Sequence, residues 1–453
     1  MSLIKKILKY FLLILGYLIL LWGLYTGLLI VFGKLFTIFS TLVNCLFPAL
    51  ACYSILFYPI IILIMTRLHG KKRKLWLVPI CFGLVVVSLN SLPLIAGTQK
   101  PIIDGNAQFA QVFGANYMDK IPQELKSKFM KTPFDFWKLY NNYESFDCNV
   151  TYDIPYLKVP IYNDVFKFDY YCPKHGTGPF PTIINIHGGG WIIGNKGFPE
   201  NRPQASKYLA HQGYVVFDIQ YGLAHFPNMT IGNTKLDDTL GWVQGLLGRQ
   251  LTNKSYSVLE QIHQVLGNFT HFLVSNASQY KVNLSCVYIT GNSAGGHLTE
   301  CFIGWNNTYR SIFPTENITI KGLIPFYGVS NFADLMYMIN DPLLGLIGNP
   351  IELMKEMFGG DLSNTSFNNL ISPVTMVDSN APPILLLHGE NDELVPVEQS
   401  RELKDAYDAN ATNPAILIEF PFVGHAFDYI FNSPGGQISL YYIERFLAAT
   451  RYA

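Results

Sequence analysis

Two hydrophobic rhythms divide the chain near residue 100. Before it, three runs, Ile7 to Phe32, Leu35 to Thr66 and Leu75 to Gln99, are strongly apolar and, past Lys9, carry no charge. A helix crossing a bilayer needs about 20 such residues, so each run is long enough to span. The middle run is overlong and contains Pro48 and Pro59, which can kink it; three spans are expected, with four as the alternative. The first run exceeds the apolar core of a cleaved signal peptide, which points to a retained anchor.

After residue 150 the period shortens. Thr151 to Val159 and Val165 to Cys172 alternate about Tyr162-Asn163-Asp164 and read as a hairpin. Short β-branched, apolar runs follow at Pro181 to Ile186, Gly213 to Ile219, Cys286 to Thr290, Ile320 to Tyr327, Pro383 to His388 and Ala415 to Phe420. Helical patterns separate them: Arg202 to Gln212, Asp237 to Leu247, Leu298 to Trp305 and, last, Gln437 to Tyr452. Strands alternating with helices imply an α/β fold, a mostly parallel central sheet with helices on both faces, preceded by an all-α transmembrane region. The expected organisation is an anchor over 1–100, a connector over 101–150 and a globular body over 151–453.

Three stretches fit this scheme loosely. In the connector, Thr132-Pro133-Phe134-Asp135 has the form of a capped helix start, with Phe136, Trp137, Tyr140 and Tyr143 behind it as a cap over a pocket or a rest on the bilayer. Residues 248–280 space Leu259, Ile262, Val265, Leu266, Phe269, Phe272 and Leu273 amphipathically over more chain than a crossover needs, and read as an exposed helical insertion. The Met-, Leu- and Gly-rich stretch ending near Pro373 reads as a lid or pocket wall.

Charge sharpens the division. The formal net charge is zero, but residues 1–100 hold ten Lys and Arg with no Asp or Glu, leaving 22 basic against 32 acidic residues in the rest. An acidic body speaks against a nucleic-acid partner. Lys5, Lys6 and Lys9 precede the first run, and Arg67, Lys71, Lys72, Arg73 and Lys74 lie between the second and third. Cations stay on the cytoplasmic side, so with three spans the body lies across the membrane, lumenal or extracellular; four spans would reverse this. Asn-x-Ser/Thr sequons begin at Asn149, Asn228, Asn253, Asn268, Asn276, Asn283, Asn306, Asn317, Asn364 and Asn410, and none precedes residue 100. Their distribution supports three spans and a glycoprotein. Cys45, Cys52 and Cys81 sit in the apolar runs as packing residues; Cys148, Cys172, Cys286 and Cys301 have no spacing that requires a disulfide. There is no HExxH, CxxC or close His pair, so no metal is expected.

The chemistry is concentrated in three loops. Gly291-Asn292-Ser293-Ala294-Gly295 follows the run ending at Thr290 and opens a helical pattern. A serine hydroxyl is a weak nucleophile, and a sharp strand-to-helix turn holds it in the open; glycines two residues either side remove side chains that would collide there. His187-Gly188-Gly189-Gly190-Trp191 follows another strand and offers bare amides. The N–H groups of Gly189, Gly190 and Ala294 are the expected oxyanion hole. For the base, His425 lies just past the last strand, and in chain order a carboxylate should stand between it and the serine. Asp392, after the preceding strand, is the expected partner, with Glu390 and Glu393 as neighbours that can substitute. His187, His297 and His388 are expected to be structural.

Together these residues resemble a known family. Over about residues 180 to 430, His187-Gly188-Gly189-Gly190-Trp191, Tyr221-Gly222-Leu223-Ala224, Ser293-Ala294-Gly295-Gly296-His297-Leu298 and the Asp392 and His425 loops are similar to α/β-hydrolase serine esterases of the hormone-sensitive-lipase type and to acetylesterase, feruloyl-esterase-like and prenylcysteine-methylesterase-like groups. Asn292 stands where the lipase-type branch usually has Asp, and His388-Gly389-Glu390-Asn391-Asp392 is closer to the acetylesterase pattern. The resemblance implies a cofactor-free carboxylesterase; the three-span anchor lies outside it, and anchor and apolar lid together suit a small-molecule or amphiphilic ester. An amidase or acyltransferase on the same triad, and a catalytically silent receptor or adhesion module, are the alternatives.

Overall fold

A computed structural model describes residues 3–33, 47–48, 50–70, 74–141, 145–198, 201–225, 254–312, 317–334 and 350–452, with isolated positions between 230 and 245. Most of the expected helix Asp237 to Leu247, of which Asp238, Gly241 and Gly245 are helical, and residues 35–46 of the middle apolar run lie outside the described residues.

Among the described residues, eight strands form one sheet: β1 (Cys148–Val159), β2 (Asp164–Pro173), β3 (Phe180–Ile186), β4 (Val215–Ile219), β5 (Val282–Asn292), β6 (Ile320–Phe326), β7 (Ile384–Gly389) and β8 (Ala415–Phe420), in the order β1-β2-β4-β3-β5-β6-β7-β8. The β1–β2 hairpin joins antiparallel to β4, and from β4 to β8 every pairing is parallel. Strands covered on both faces have no wet side to display, so β4 and β7 are buried at every position. On one face lie α4 (Asn201–Gln212) and α8 (Pro434–Tyr452), burying Tyr208, Leu209, Tyr442 and Phe446. On the other lie α5 (residues 258–275), α6 (Ala294–Glu300) and α7 (Glu398–Asn410), burying Leu266, Phe269, Leu298 and Leu403.

Helix α5 corrects an expectation. It starts at Ser257 with a reciprocal cap to Glu260, passes through a π-helical segment, His263–Phe269, and ends at Ser275. Ile262, Val265, Leu266, Phe269 and Leu273 are fully buried. Burying such a side chain contributes roughly 1.5–3 kcal/mol. The stretch is therefore part of the core, and its polar stripe, rather than the whole helix, is exposed. The expected cap helix is likewise reduced to a 3₁₀ turn, Phe136–Tyr140, whose start is capped by Asp135 through the Trp137 N–H.

The N-terminal region is helical: α1 (Leu3–Phe32), α2 (Ala51–His69) and α3 (Leu77–Phe113). Two of them, α1 and α3, are long and apolar enough to cross a membrane; the apolar part of α2, Tyr53–His69, is shorter. Small residues let α1 approach its neighbours: Gly16 faces Met65, Gly23 faces Tyr58 and Val86, and Gly27 faces Leu89 and Asn90. Asn90 Nδ2 also donates to the Gly23 carbonyl at 2.8 Å. Contrary to a connector beginning at residue 101, α3 continues through Pro93 and Pro101 to Phe113. Its second half lies along the edge strand β8, where Gln108 donates to the Leu417 carbonyl at 2.7 Å and accepts from the Leu417 N–H at 3.1 Å. An open strand edge is thereby covered.

Candidate active site

Ser293 sits between β5 and α6 with φ 55° and ψ −121°, a strained conformation for a residue with a side chain. The surrounding glycines explain how the turn is held. A Cβ on Gly295 would run into the Ile186 and His187 carbonyl oxygens, and one on Gly291 into the carbonyls of Gly295 and Ile186. The Ser293 N–H donates to the Phe326 carbonyl at 2.9 Å, pinning the turn to β6. The serine is half-buried, and Ala294, as the first residue of α6, has an N–H with no intrahelical partner.

The glycine loop lies against this turn. A Cβ on Gly188 would stand 3.2 Å from Ser293 Cβ. Gly189, Gly190 and Trp191 all have positive φ, at 120°, 58° and 64°, and the Gly189 carbonyl is turned inward to accept from Ile192 and Ile193 at 3.1 and 2.9 Å. Tyr221-Gly222-Leu223-Ala224 braces the loop: Tyr221 stacks on the His187 ring at 4.3 Å and donates to the His187 carbonyl, while the Ala224 N–H donates to the Trp191 carbonyl at 3.0 Å.

His425 stands between two residues forced to positive φ, Phe422 at 64° and Ala426 at 58°. Its Nδ1–H donates to Asp392 Oδ2 at 2.7 Å, and its Nε2 accepts from the Ser293 hydroxyl at 2.9 Å. Asp392 Oδ1 accepts from the Leu394 and Val395 N–H groups, both at 2.9 Å. Burial alone would raise the Asp392 carboxyl, but the facing charge of His425 and hydrogen bonds from His388 and His425 outweigh it and hold the group well below the usual carboxylate range. Glu390 points elsewhere, accepting from Lys100 at 2.8 Å. The Asn391 N–H donates to the Val423 carbonyl at 2.9 Å and ties the acid loop to the histidine loop.

His388 and His297 are held in other contacts. His388 Nε2–H donates to the Val395 carbonyl at 2.8 Å and lies 3.5 Å from Asp392, while its Nδ1 accepts from Ser400 at 2.7 Å. His297 Nδ1 accepts from Trp191 Nε1–H at 3.3 Å and its Nε2–H donates to the Ile371 carbonyl at 2.9 Å. Burial pushes His297 down to about 4, so it is neutral at pH 7. The lid-like stretch supplies part of this wall: Phe332 and Phe358 pack on Trp191 at 5.9 and 5.5 Å.

One group escapes a reading of the sequence. The Tyr327 ring lies 4.5 Å from the His425 ring, and its hydroxyl donates to Asp428 Oδ1 at 2.6 Å. Asp428 Oδ2 accepts from Arg202 at 3.3 Å and Asn201 at 3.1 Å, all of them buried. Asp428 follows His425 by three residues in an apolar loop, a weak hint; its partners come from α4, about 225 residues away, and no local pattern joins them.

Residues 168–235 and 259–407 match the BD-FAE family model. The body of this chain has the α/β-hydrolase fold, and the proteins it resembles are esterases. The chain is 29% identical over 287 residues to a probable carboxylic ester hydrolase, LipM, of Mycobacterium tuberculosis, covering 61% of this chain and 57% of that protein. It is 23% identical over 256 residues to an isoprenylcysteine α-carbonyl methylesterase of Arabidopsis thaliana, covering 56% and 52%. The chain thus spans about half the length of the curated relatives it matches. Among solved structures, esterase B of Lactobacillus rhamnosis superposes with a TM-score of 0.50 at 20% identity, covering 78% of this chain and 97% of that chain, which shows the shared fold.

Proposed function

We propose that the chain is a membrane-anchored serine carboxylesterase. The observation that carries this reading is the hydrogen-bonded line from Asp392 through both nitrogens of His425 to the Ser293 hydroxyl. In the proposed reaction His425 takes the Ser293 proton as Oγ adds to the ester carbonyl. The oxyanion accepts from the N–H groups of Gly189, Gly190 and Ala294. Collapse breaks the bond to the alkoxy oxygen, which leaves as the alcohol with the proton from His425. Water, deprotonated by the same imidazole, then releases the acid and restores the serine. Asp392 stays ionised throughout, fixing the tautomer and offsetting the imidazolium charge. Tyr327, held by Asp428, limits the tilt of the ring.

The anchor in this reading is α1, α2 and α3 crossing the bilayer, with the basic N-terminus and the Lys74 end of the second loop cytoplasmic and the body lumenal or extracellular. The relatives' names support ester chemistry in general and leave the acyl and alcohol parts to experiment. The test is hydrolysis of p-nitrophenyl acetate by the detergent-solubilised chain. Ser293→Ala is expected to lower kcat by about 10⁶-fold with the fold retained; a variant as active as the original would overturn the reading.

A further inference from the structure

Among the described residues, the apolar parts of the N-terminal helices meet the body at the end of the sheet that carries the site. Helix α1 stops at Gly33, φ 55°, beside Asn391, whose side chain donates to the Ile30 carbonyl at 2.7 Å and so satisfies one of the helix's last acceptors. Asn391 is the residue before Asp392. In α3, a Cβ on Gly97 would stand 3.2 Å from the Pro421 carbonyl oxygen and 3.7 Å from the ring of Phe422, three residues short of His425, and Lys100 pairs with Glu390 at 2.8 Å and Glu419 at 3.4 Å. All these partners lie at the carboxyl ends of β7 and β8. The apolar half of α3 therefore projects from the same edge of the sheet at which Ser293, Asp392 and His425 converge, and the half after Lys100 runs back along β8.

Two further observations mark this end as the one nearest lipid. The 3₁₀ turn Phe136–Tyr140 docks on the start of α2, with Tyr140 at 5.9 Å from Tyr53 and Leu139 clustered with Ala51 and Leu94. From it Trp137 protrudes, 72% exposed, at the level where α1 ends and α2 begins. An indole with an apolar body and one polar N–H is suited to the headgroup boundary. Conversely, three of the exposed sequon residues stand at the opposite end of the sheet: Asn149 of β1 pairs with Cys172 of β2, beside the start of β4, and Asn317 and Asn410 lie just before β6 and β8.

We infer that the carboxyl-end face of the sheet rests on the bilayer, with Trp137 inserted at its surface, and that the site takes its substrate from that leaflet: an ester of an amphiphile whose apolar chain stays in the membrane. This rests on the esterase and anchor reading above and specifies its substrate class. A soluble ester would gain nothing from such seating, whereas a bilayer-held one is delivered at high local concentration to a hydroxyl already at the right depth.

The experiment uses the full chain in phospholipid nanodiscs, with an environment-sensitive fluorophore at position 137 in one preparation and at position 312 in another, Ile312 being 49% exposed in the loop before β6. Expected is strong quenching of the probe at 137 by a lipid spin-labelled near its headgroup and several-fold protection from aqueous iodide, with the reverse at 312. A probe at 137 as open to iodide as that at 312 would overturn the inference. In a second arm, Trp137→Glu is expected to lower kcat/KM for a long-chain fluorogenic ester dissolved in the nanodisc by tenfold or more, while p-nitrophenyl acetate is cleaved as before and Trp137→Tyr restores the loss. Equal effects on both esters would contradict it. Failure of the esterase reading registers separately, as absent cleavage of the soluble ester, on which the quenching result does not depend.

Discussion

The loops around Ser293 and the contact between the body and the N-terminal helices are built on opposite principles. At the serine, backbone crowds backbone: Gly188, Gly291 and Gly295 each stand where a Cβ would meet a carbonyl or the serine itself, and no neighbour can move aside without breaking the sheet. At the helical contact, a few polar side chains, Asn391, Lys100 and Gln108, latch helices to strand ends, and most of the remaining surface is interchangeable apolar packing. The first kind of contact dictates residue types at fixed spacing, so it is legible as a motif. The second leaves only composition.

The difference can be tested from both sides, beginning with the loops. Asp392→Asn keeps the shape of the site but no longer stabilises the imidazolium and permits the wrong His425 tautomer; kcat on a soluble ester should fall by about 10⁴-fold, with little change in KM. A loss below tenfold would make the Asp392 contact incidental.

Next in size is an effect of pH on stability from the wall behind the serine. His297 is held neutral, its pKa moved by burial from 6.5 to about 4. Between those values the unfolded chain binds a proton that the folded chain does not, so this contribution is complete above pH 6.5 and is lost as pH falls toward 4. The amount is up to about 3 kcal/mol. Melting of the detergent-solubilised chain at a series of pH values should show Tm declining over this window, and His297→Asn should flatten that part of the slope. An unchanged slope would mean that His297 can be protonated in place.

Smallest is Asn391→Ala, which removes the hydrogen bond to the Ile30 carbonyl. It should cost about 1 kcal/mol, seen as easier proteolysis between the helices and the body, with kcat/KM on a soluble ester changed by less than tenfold. A loss as large as that of Asp392→Asn would show that the latch acts on the acid loop itself and would blur the contrast between the two regions.

What could be read beforehand follows the same line. The strands of the sheet and the positions of Ser293, Asp392 and His425 were legible because buried parallel strands are near-continuous apolar runs, and because a loop that must turn sharply at a strand end needs glycine. Helix α5 was misjudged as exposed because sequons and length say nothing about which stripe faces the sheet, and its π-helical segment shifts the period on which that judgement depends. The extension of α3 past residue 100 was hidden by Lys100, Pro101 and Asp104, which read as the end of an apolar run. In the fold Pro101 is tolerated inside the helix, and Lys100 faces Glu390 and Glu419. The Arg202, Tyr327 and Asp428 group was illegible because its members meet only through the sheet's topology.

Everything proposed for the site rests on Ser293 becoming the covalent carrier of the acyl group. The direct measurement is rapid acid quenching of the full chain during turnover of p-nitrophenyl butyrate, followed by mass spectrometry of its peptides. The account predicts a butyryl adduct on the peptide bearing Ser293, formed in a burst of about one p-nitrophenol per chain and accumulating further when deacylation is slowed at low pH. Turnover with no adduct at Ser293, or an adduct on a different residue, would contradict it.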